Sequence, residues 1–202
     1  MKLYRLAEVF VALALILLFF PLTLLIAITI KISSKGPIFF SSPRIGCGGK
    51  TFDCFKFRTM ETSPGFVFHE WLLNNPEKKL EWETFHKLQN DPRITSIGKI
   101  LRKTSLDELP QLLNVLNGSM SLIGPRPLLA EDLLRIPDTL KSKFLSIKPG
   151  ITGLWQISGR NAICFSKRVE IESYYIDQKN LWLDIKILLK TIPVVLFKKG
   201  AY

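Results

Sequence analysis

The sequence predicts a mostly α-helical protein with a small β component. A proline-broken, re-entrant membrane helix fills residues 1–35, and a compact cytoplasmic α/β domain with amphipathic interfacial helices fills residues 36–202. Three observations lead there. No charge interrupts the run from Val9 to Ile30, but Pro21 does. Two short apolar, β-prone runs flank the glycine-rich Gly46-Cys47-Gly48-Gly49. From Leu181 onward, apolar side chains recur at helical spacing among lysines.

Lys2 and Arg5 precede the apolar run, and Lys31 and Lys35 follow it. The run is too long for a secretory signal, and Ile30-Lys31-Ile32 lacks the small residues of a cleavage site. About 20 apolar residues suffice to cross a bilayer, so a straight span is one reading. Pro21 weighs against it by removing a helix hydrogen bond near the middle. Basic residues at both ends also leave the positive-inside rule no asymmetry to act on. A helix that enters the cytoplasmic leaflet, bends at Pro21 and returns keeps both basic ends on one side. The Thr23 hydroxyl then stands close enough to meet a freed carbonyl. The re-entrant form is the preferred reading.

Ser33 to Pro37 is turn chemistry that ends this segment. Pro37 to Phe40 and Thr51 to Thr59 read as strands joined as a hairpin. Phe66 to Leu73 and Glu77 to Leu88 carry helical spacing, Ile97 to Arg102 is a short basic helix, and Leu109 to Leu116 is an apolar one stopped by Asn117-Gly118. Gly124-Pro125-Arg126-Pro127 is a stiff loop, because its prolines fix φ and leave Arg126 projecting. Lys148-Pro149-Gly150 and Ser158-Gly159-Arg160-Asn161 are loops bracketing the apolar Ile151 to Ile157. Ser166 to Asp177 and Leu181 to Phe197 are helices. The broad apolar face of the last one suits core packing, while Trp182 and its lysines suit a helix lying on a membrane surface.

A formal charge of +11 predicts anionic company: nucleic acid, membrane surface or phosphorylated substrate. No recognition-helix motif or pattern of stacking aromatics accompanies the basic residues, so nucleic acid is not expected as a partner. Cys47, Cys54 and Cys164 lack zinc-site spacing and read as ordinary thiols of a reducing cytoplasm. His69 and His86 have no acidic or cysteine neighbour at ligand spacing and read as non-catalytic.

The chemistry centres on Asp107-Glu108. With Ser105 as N-cap, Glu108 completes a capping box, but Pro110 then falls inside the helix. With Asp107 as N-cap, Pro110 sits where the N–H is unpaired anyway, and the carboxylates stand at a helix start. Arg58, Arg93, Arg102, Lys103, Arg126 and Arg160 lie in short polar segments. Guanidinium groups grip phosphate oxygens in pairs. Two carboxylates among arginines suggest Mg²⁺ plus phosphate, since Mg²⁺ takes one or two carboxylates and completes its shell with water and phosphate oxygens. No P-loop or Rossmann glycine fingerprint is present.

Several long motifs together resemble the bacterial sugar transferase family, the small polyprenyl-phosphate hexose-1-phosphate transferases. They are Lys56-Phe57-Arg58-Thr59-Met60, Leu101 through Gln111, Met120 through Pro127, Lys148-Pro149-Gly150-Ile151-Thr152-Gly153, Trp182-Leu183-Asp184 and Lys199-Gly200-Ala201-Tyr202. The resemblance covers nearly the whole chain; Thr62 to Gln89 matches least. Larger members of the family carry further spanning helices and a further domain, so this chain reads as a minimal form.

The resemblance implies transfer of a sugar-1-phosphate from a UDP-sugar to polyprenyl (undecaprenyl) phosphate, the first membrane step of a surface-polysaccharide, O-antigen or glycoprotein glycan pathway. Asp107 is implied as nucleophile, holding a phospho-sugar while UMP leaves. Glu108 would organise Mg²⁺ with Asp107. Arg126, on its pre-stiffened loop, is the foremost phosphate or nucleotide contact, with Lys56, Arg58, Arg102, Arg160 and Asp177 as weaker candidates. Inner-membrane lipid would surround the anchor, with the catalytic domain on the cytoplasmic face. The competing reading is a non-catalytic, membrane-tethered scaffold of the same fold, which would release no UMP from any UDP-sugar.

Overall fold

The structure, a computed structural model, describes residues 2–61, 65–85, 88, 90–159 and 163–196. Helix α1 (Lys2–Ser33) is one continuous element with Pro21 inside it. Helical hydrogen bonding thus runs on past Pro21: proline deletes a single ladder bond, and the turns on either side keep theirs. Packing holds both halves, with Ala12, Leu15 and Ile16 in one hydrophobic cluster and Leu22, Ile26 and Ile30 in another. The Thr23 hydroxyl donates to the Phe20 carbonyl at 2.8 Å. The carbonyl that Pro21 deprives of a partner is that of Leu17, four residues back.

Both ends of α1 are tied to the rest of the chain. Near its start, the Tyr4 hydroxyl donates to Asp184 at 2.7 Å and Glu8 accepts the Leu122 backbone N–H at 3.0 Å. At its end, the Arg58 guanidinium donates to the Ser34 carbonyl at 2.9 Å, the Ser34 hydroxyl at 2.8 Å and the Ile30 carbonyl at 3.4 Å, and also to the Lys35 carbonyl. A cation at a helix C-terminus meets orphan carbonyls and the negative end of the dipole. By length and composition α1 could cross a membrane, and only 11% of its most apolar window is buried.

The hairpin forms as expected. Strand β1 (Phe39–Ile45) pairs antiparallel with β2 (Thr51–Phe57), Phe39 opposite Phe57 and Ile45 opposite Thr51. The first strand begins later than the apolar residues suggest and extends through Ser41 to Arg44, where cross-strand pairing overrides weak propensity. Helices α2 (Gly65–Leu73) and α3 (Pro76–Phe85) follow, with His69 in the first; His86 lies outside the described residues. Next come α4 (Ser96–Thr104) and α5 (Gln111–Asn117).

A second, parallel pair joins β3 (Ser121–Ile123) to β4 (Gly150–Thr152). Two short helices, α6 (Ala130–Arg135) and α7 (Asp138–Phe144), lie between them in sequence. Three-residue strands and helices of under two turns carry too little periodicity to read in advance. The pairing brings two backbones close. A Cβ at Gly150 would stand 2.0 Å from the Gly124 nitrogen and 2.6 Å from the Ile123 carbonyl carbon. Gly150→Ala should therefore destabilise the protein by about 3 kcal/mol, read as a Tm fall of roughly 6–12 °C. An unchanged melting curve would contradict that packing.

Helices α8 (Leu154–Ile157), α9 (Phe165–Gln178) and α10 (Leu181–Leu196) complete the fold. Asp184 joins three of the helices, accepting the Tyr4 and Tyr175 hydroxyls at 2.7 Å each. Helix α10 turns Leu183, Asp184, Ile187 and Thr191 inward. Leu181, Trp182, Ile185, Leu188, Leu189 and Ile192 stay exposed beside Lys186 and Lys190. The apolar face legible in the sequence is thus turned away from the core.

Candidate active site

Asp107 and Glu108 occupy a short 3₁₀ turn, Leu106–Glu108, between α4 and α5. Ser105 bends the chain into it with a left-handed backbone, φ 58°. Asp107 is not a helix cap. The cap position of α5 is held by Pro110 itself, where the missing N–H costs nothing. The neighbours pin the turn: Leu106 packs into the cluster of Ile26, Ile30, Phe57 and Leu101, and Leu109 into that cluster and the one around Leu112 and Val115. The carboxylates therefore sit on a backbone fixed from both sides.

Lys56 comes from β2, and its position follows from strand alternation. Directly opposed residues of an antiparallel pair share a face, as do every second residue along it. Lys56, Cys54 and Phe52, with Phe40, Ser42 and Arg44 opposite them, form one face of the hairpin. Lys56 Nζ lies 2.7 Å from Glu108 Oε1 and 3.9 Å from Asp107 Oδ2. Arg126 reaches in from the loop after β3, its guanidinium 3.4 Å from Glu108 Oε1. That loop is braced: the Arg126 backbone N–H donates to buried Glu172 at 2.8 Å, and Ile45 N–H to the Leu128 carbonyl at 2.9 Å.

Burial pushes the Asp107 carboxyl up to about 6. Lys56 pulls it down, Glu108 pushes it up, and Arg102 and Arg126 pull it down further. A carboxylate removed from water is more basic and a better nucleophile, while the surrounding cations keep it largely ionised near neutrality.

The structure brings Lys56, Asp107, Glu108 and Arg126 together, with Arg102 close enough to act on Asp107 while its Nε donates to Thr59 at 2.9 Å. Arg58 is not among them, because its guanidinium is engaged with the end of α1. Asp177 faces Lys143 at 2.5 Å on the surface. Arg93 is held by Asp91 and stacked on Phe68, its guanidinium carbon 3.6 Å from the ring centre. Arg160 lies outside the described residues.

Sequence reading missed Arg44, which shares the site face of β1 and feels both Arg126 and Glu108. Only the hairpin register could have placed it. It also missed Trp155, Arg168 and Glu172, which meet behind Arg126. The Arg168 guanidinium carbon lies 4.8 Å and that of Arg126 5.7 Å from the Trp155 ring centre, and Arg168 Nε donates to Glu172 at 3.2 Å.

No group of three or more His, Cys, Asp or Glu among the described residues forms a metal cage. A pair of adjacent carboxylates beside Lys56 and Arg126 instead suits a Mg²⁺ that takes most of its shell from water and substrate.

Residues 1–198 match the family described as bacterial sugar transferase. Among similar proteins, the exopolysaccharide production protein ExoY of Rhizobium meliloti is 46% identical over 195 residues, covering 96% of this chain and 86% of that protein. The undecaprenyl-phosphate galactose phosphotransferase of Salmonella typhimurium is 51% identical over 167 residues, 83% of this chain and 35% of that protein. The UDP-glucose:undecaprenyl-phosphate glucose-1-phosphate transferase of Klebsiella pneumoniae is 37% identical over 205 residues, 98% of this chain and 41% of that protein. The chain thus spans most of ExoY and well under half of the other two.

Proposed function

The chain belongs to the bacterial sugar transferase family, and on that premise we propose that it moves a sugar-1-phosphate from a UDP-sugar to polyprenyl phosphate. The observation that carries this reading is the buried Asp107, its pKa raised to about 6, set beside Glu108, Lys56 and Arg126.

In the first step the Asp107 carboxylate attacks the sugar-bearing phosphorus of the donor. The P–O bond to the bridging oxygen breaks, UMP leaves with that oxygen, and a phospho-sugar remains on the carboxyl as an acyl phosphate. In the second, an oxygen of polyprenyl phosphate attacks the same phosphorus and the carboxylate departs. The product is a polyprenyl diphosphate sugar. Neither nucleophile needs a general base: Asp107 is largely ionised above pH about 7, and a phosphate monoester loses its second proton near 6. Lys56, Arg126 and Arg44, the cations around Glu108, would steady phosphoryl oxygens as charge shifts between entering and leaving groups. Asp107 and Glu108 would hold Mg²⁺, which neutralises diphosphate charge when bound.

The acceptor's phosphate sits at the bilayer surface, so the site must lie there too. The exposed apolar side of α1 and the exposed Trp182, Leu189 and Ile192 of α10 supply lipid-facing surface. The contacts at both ends of α1 favour a helix held in one leaflet, at the cytoplasmic face of the inner membrane. A helix whose two ends dock on one domain does not leave either end across a bilayer about 30 Å thick. With native thiols replaced, a membrane-impermeant maleimide should reach both Leu3→Cys and Lys35→Cys in inside-out vesicles alone. Labelling of Leu3→Cys from the periplasmic side would exclude this arrangement.

The functional reading is tested by UMP release. The purified chain with Mg²⁺, polyprenyl phosphate and a panel of UDP-sugars should release UMP from at least one sugar. Silence across the panel would favour the non-catalytic scaffold.

A further inference from the structure

Arg126 is held by two carboxylates that pull on different parts of it. Glu108 Oε1 lies 3.4 Å from its guanidinium on the site side, and Glu172 Oε1 accepts its backbone N–H at 2.8 Å from behind. Glu172, on α9, is only 1% exposed, so water does little to satisfy its charge. Neither step of the proposed chemistry uses it. A buried carboxylate beside an arginine backbone has a second partner within reach, because the side chain of that same arginine can fold back onto it. Arg168, one turn earlier on α9, stands in the way. Its Nε donates to Glu172 Oε2 at 3.2 Å, and its guanidinium carbon lies 4.8 Å from the Trp155 ring centre. Arg168 is itself 8% exposed, pairs with no other carboxylate among the described residues, and keeps Nη2 buried without a hydrogen-bond partner. Its charge is therefore committed to Glu172.

Resting on the transferase reading, we infer that Arg168 and Glu172 are positioning residues for Arg126. Arg168 neutralises Glu172, so that Glu172 holds the Arg126 backbone without capturing its guanidinium. The division uses both carboxylate oxygens, Oε1 for the backbone N–H and Oε2 for Arg168. Trp155 supports it from the side: the Arg126 guanidinium carbon lies 5.7 Å from the same ring centre, and an indole face attracts cations. Burial raises the Glu172 carboxyl, and of the two guanidinium charges that oppose the rise, Arg168 outweighs Arg126. Removing one partner of a buried pair leaves the other charge uncompensated. Without Arg168, Glu172 turns to the remaining cation it feels, Arg126, and the phosphoryl site loses a donor.

The test removes the two charges singly and together, using the full chain in nanodiscs with a UDP-sugar that supports UMP release. Arg168→Met should lower kcat by about tenfold to a hundredfold, as misplacing a charge-stabilising group does. Adding Glu172→Gln should bring kcat back to within about threefold of wild type, because the amide still accepts the Arg126 N–H but no longer attracts its guanidinium. In an Arg126→Met background, Arg168→Met should cost less than about twofold more. A double variant as slow as Arg168→Met, an undiminished rate in Arg168→Met, or an equal loss with and without Arg126 would overturn the inference. Each would make Arg168 a packing or substrate-contacting residue instead. Should Arg168→Met fail to fold, the double variant decides alone: folded but slowed about tenfold or more, it refutes the arrangement. Phenylglyoxal labelling read by mass spectrometry needs no turnover. Arg126, its side chain 33% exposed, should label in the wild type, be protected in Arg168→Met and label again in the double variant. That pattern supports the arrangement even if no UDP-sugar releases UMP; equal labelling of all three proteins refutes it.

Discussion

Asp107→Asn is expected to cut sugar-phosphate transfer by roughly 10⁴-fold or more, as removal of a covalent nucleophile does elsewhere, while making the folded protein more stable. The two effects share one cause. Asp107 is buried, and its carboxyl is held up to about 6 from an ordinary value of 3.8, chiefly by loss of water and further by Glu108. It binds its proton more tightly folded than unfolded. The stability contributed by the neutral form is thus fully present below pH about 4 and is lost as the pH rises through about 6. At pH 7–8 the wild type carries an ionised carboxylate at a cost on the order of 2 kcal/mol, which the amide does not incur. In protein free of substrate and metal, the variant's Tm should exceed the wild type's by about 4–8 °C at pH 8. The gap should shrink as the pH is lowered toward 5. A variant that melts below the wild type at pH 8 would show that Asp107 is a structural acid.

Lys56→Met should lower kcat by about 10²–10³-fold, the usual cost of removing one charge-stabilising group from a phosphoryl or acyl transfer site. The ammonium lies 2.7 Å from Glu108 and 3.9 Å from Asp107, and it is the largest influence lowering the Asp107 pKa. Its loss raises that pKa, so the acid limb of the rate profile should move to higher pH. Lys56→Arg keeps the charge and should restore both the limb and most of the rate. A uniform loss of rate with an unmoved limb would mean that Lys56 acts on the fold and not on the nucleophile.

Much of this arrangement was legible in the chain, and the failures have physical reasons. The long apolar helix, the hairpin, and helices α4, α5, α9 and α10 follow from periodicity and turn chemistry. The pair β3–β4 does not, because strands of three residues hide inside loop motifs. Pro21 marked a site of weakness in α1, but side chains on both sides of it pack into the domain and carry the helix through. Asp107, Glu108, Lys56 and Arg126 were found by residue type and motif. Arg58 was drawn into the same group because a guanidinium suited to phosphate is equally suited to the carbonyls at a helix end, and composition does not separate the two. Arg44 was missed for the complementary reason: its place beside the site depends on hairpin register, which a five-residue connection does not reveal. In α10 the apolar stripe was correct, yet the face that packs is the other one, led by Asp184 and Ile187.

The central claim is that Asp107 itself carries the sugar phosphate. The chain should be incubated with Mg²⁺ and a UDP-sugar that supports UMP release, without acceptor, then quenched, digested and analysed by mass spectrometry. The account predicts one sugar-phosphate on the peptide containing Asp107, discharged when polyprenyl phosphate is added and absent from Asp107→Asn. Transfer at full rate with no adduct on the protein, or with the adduct on another residue, would contradict it.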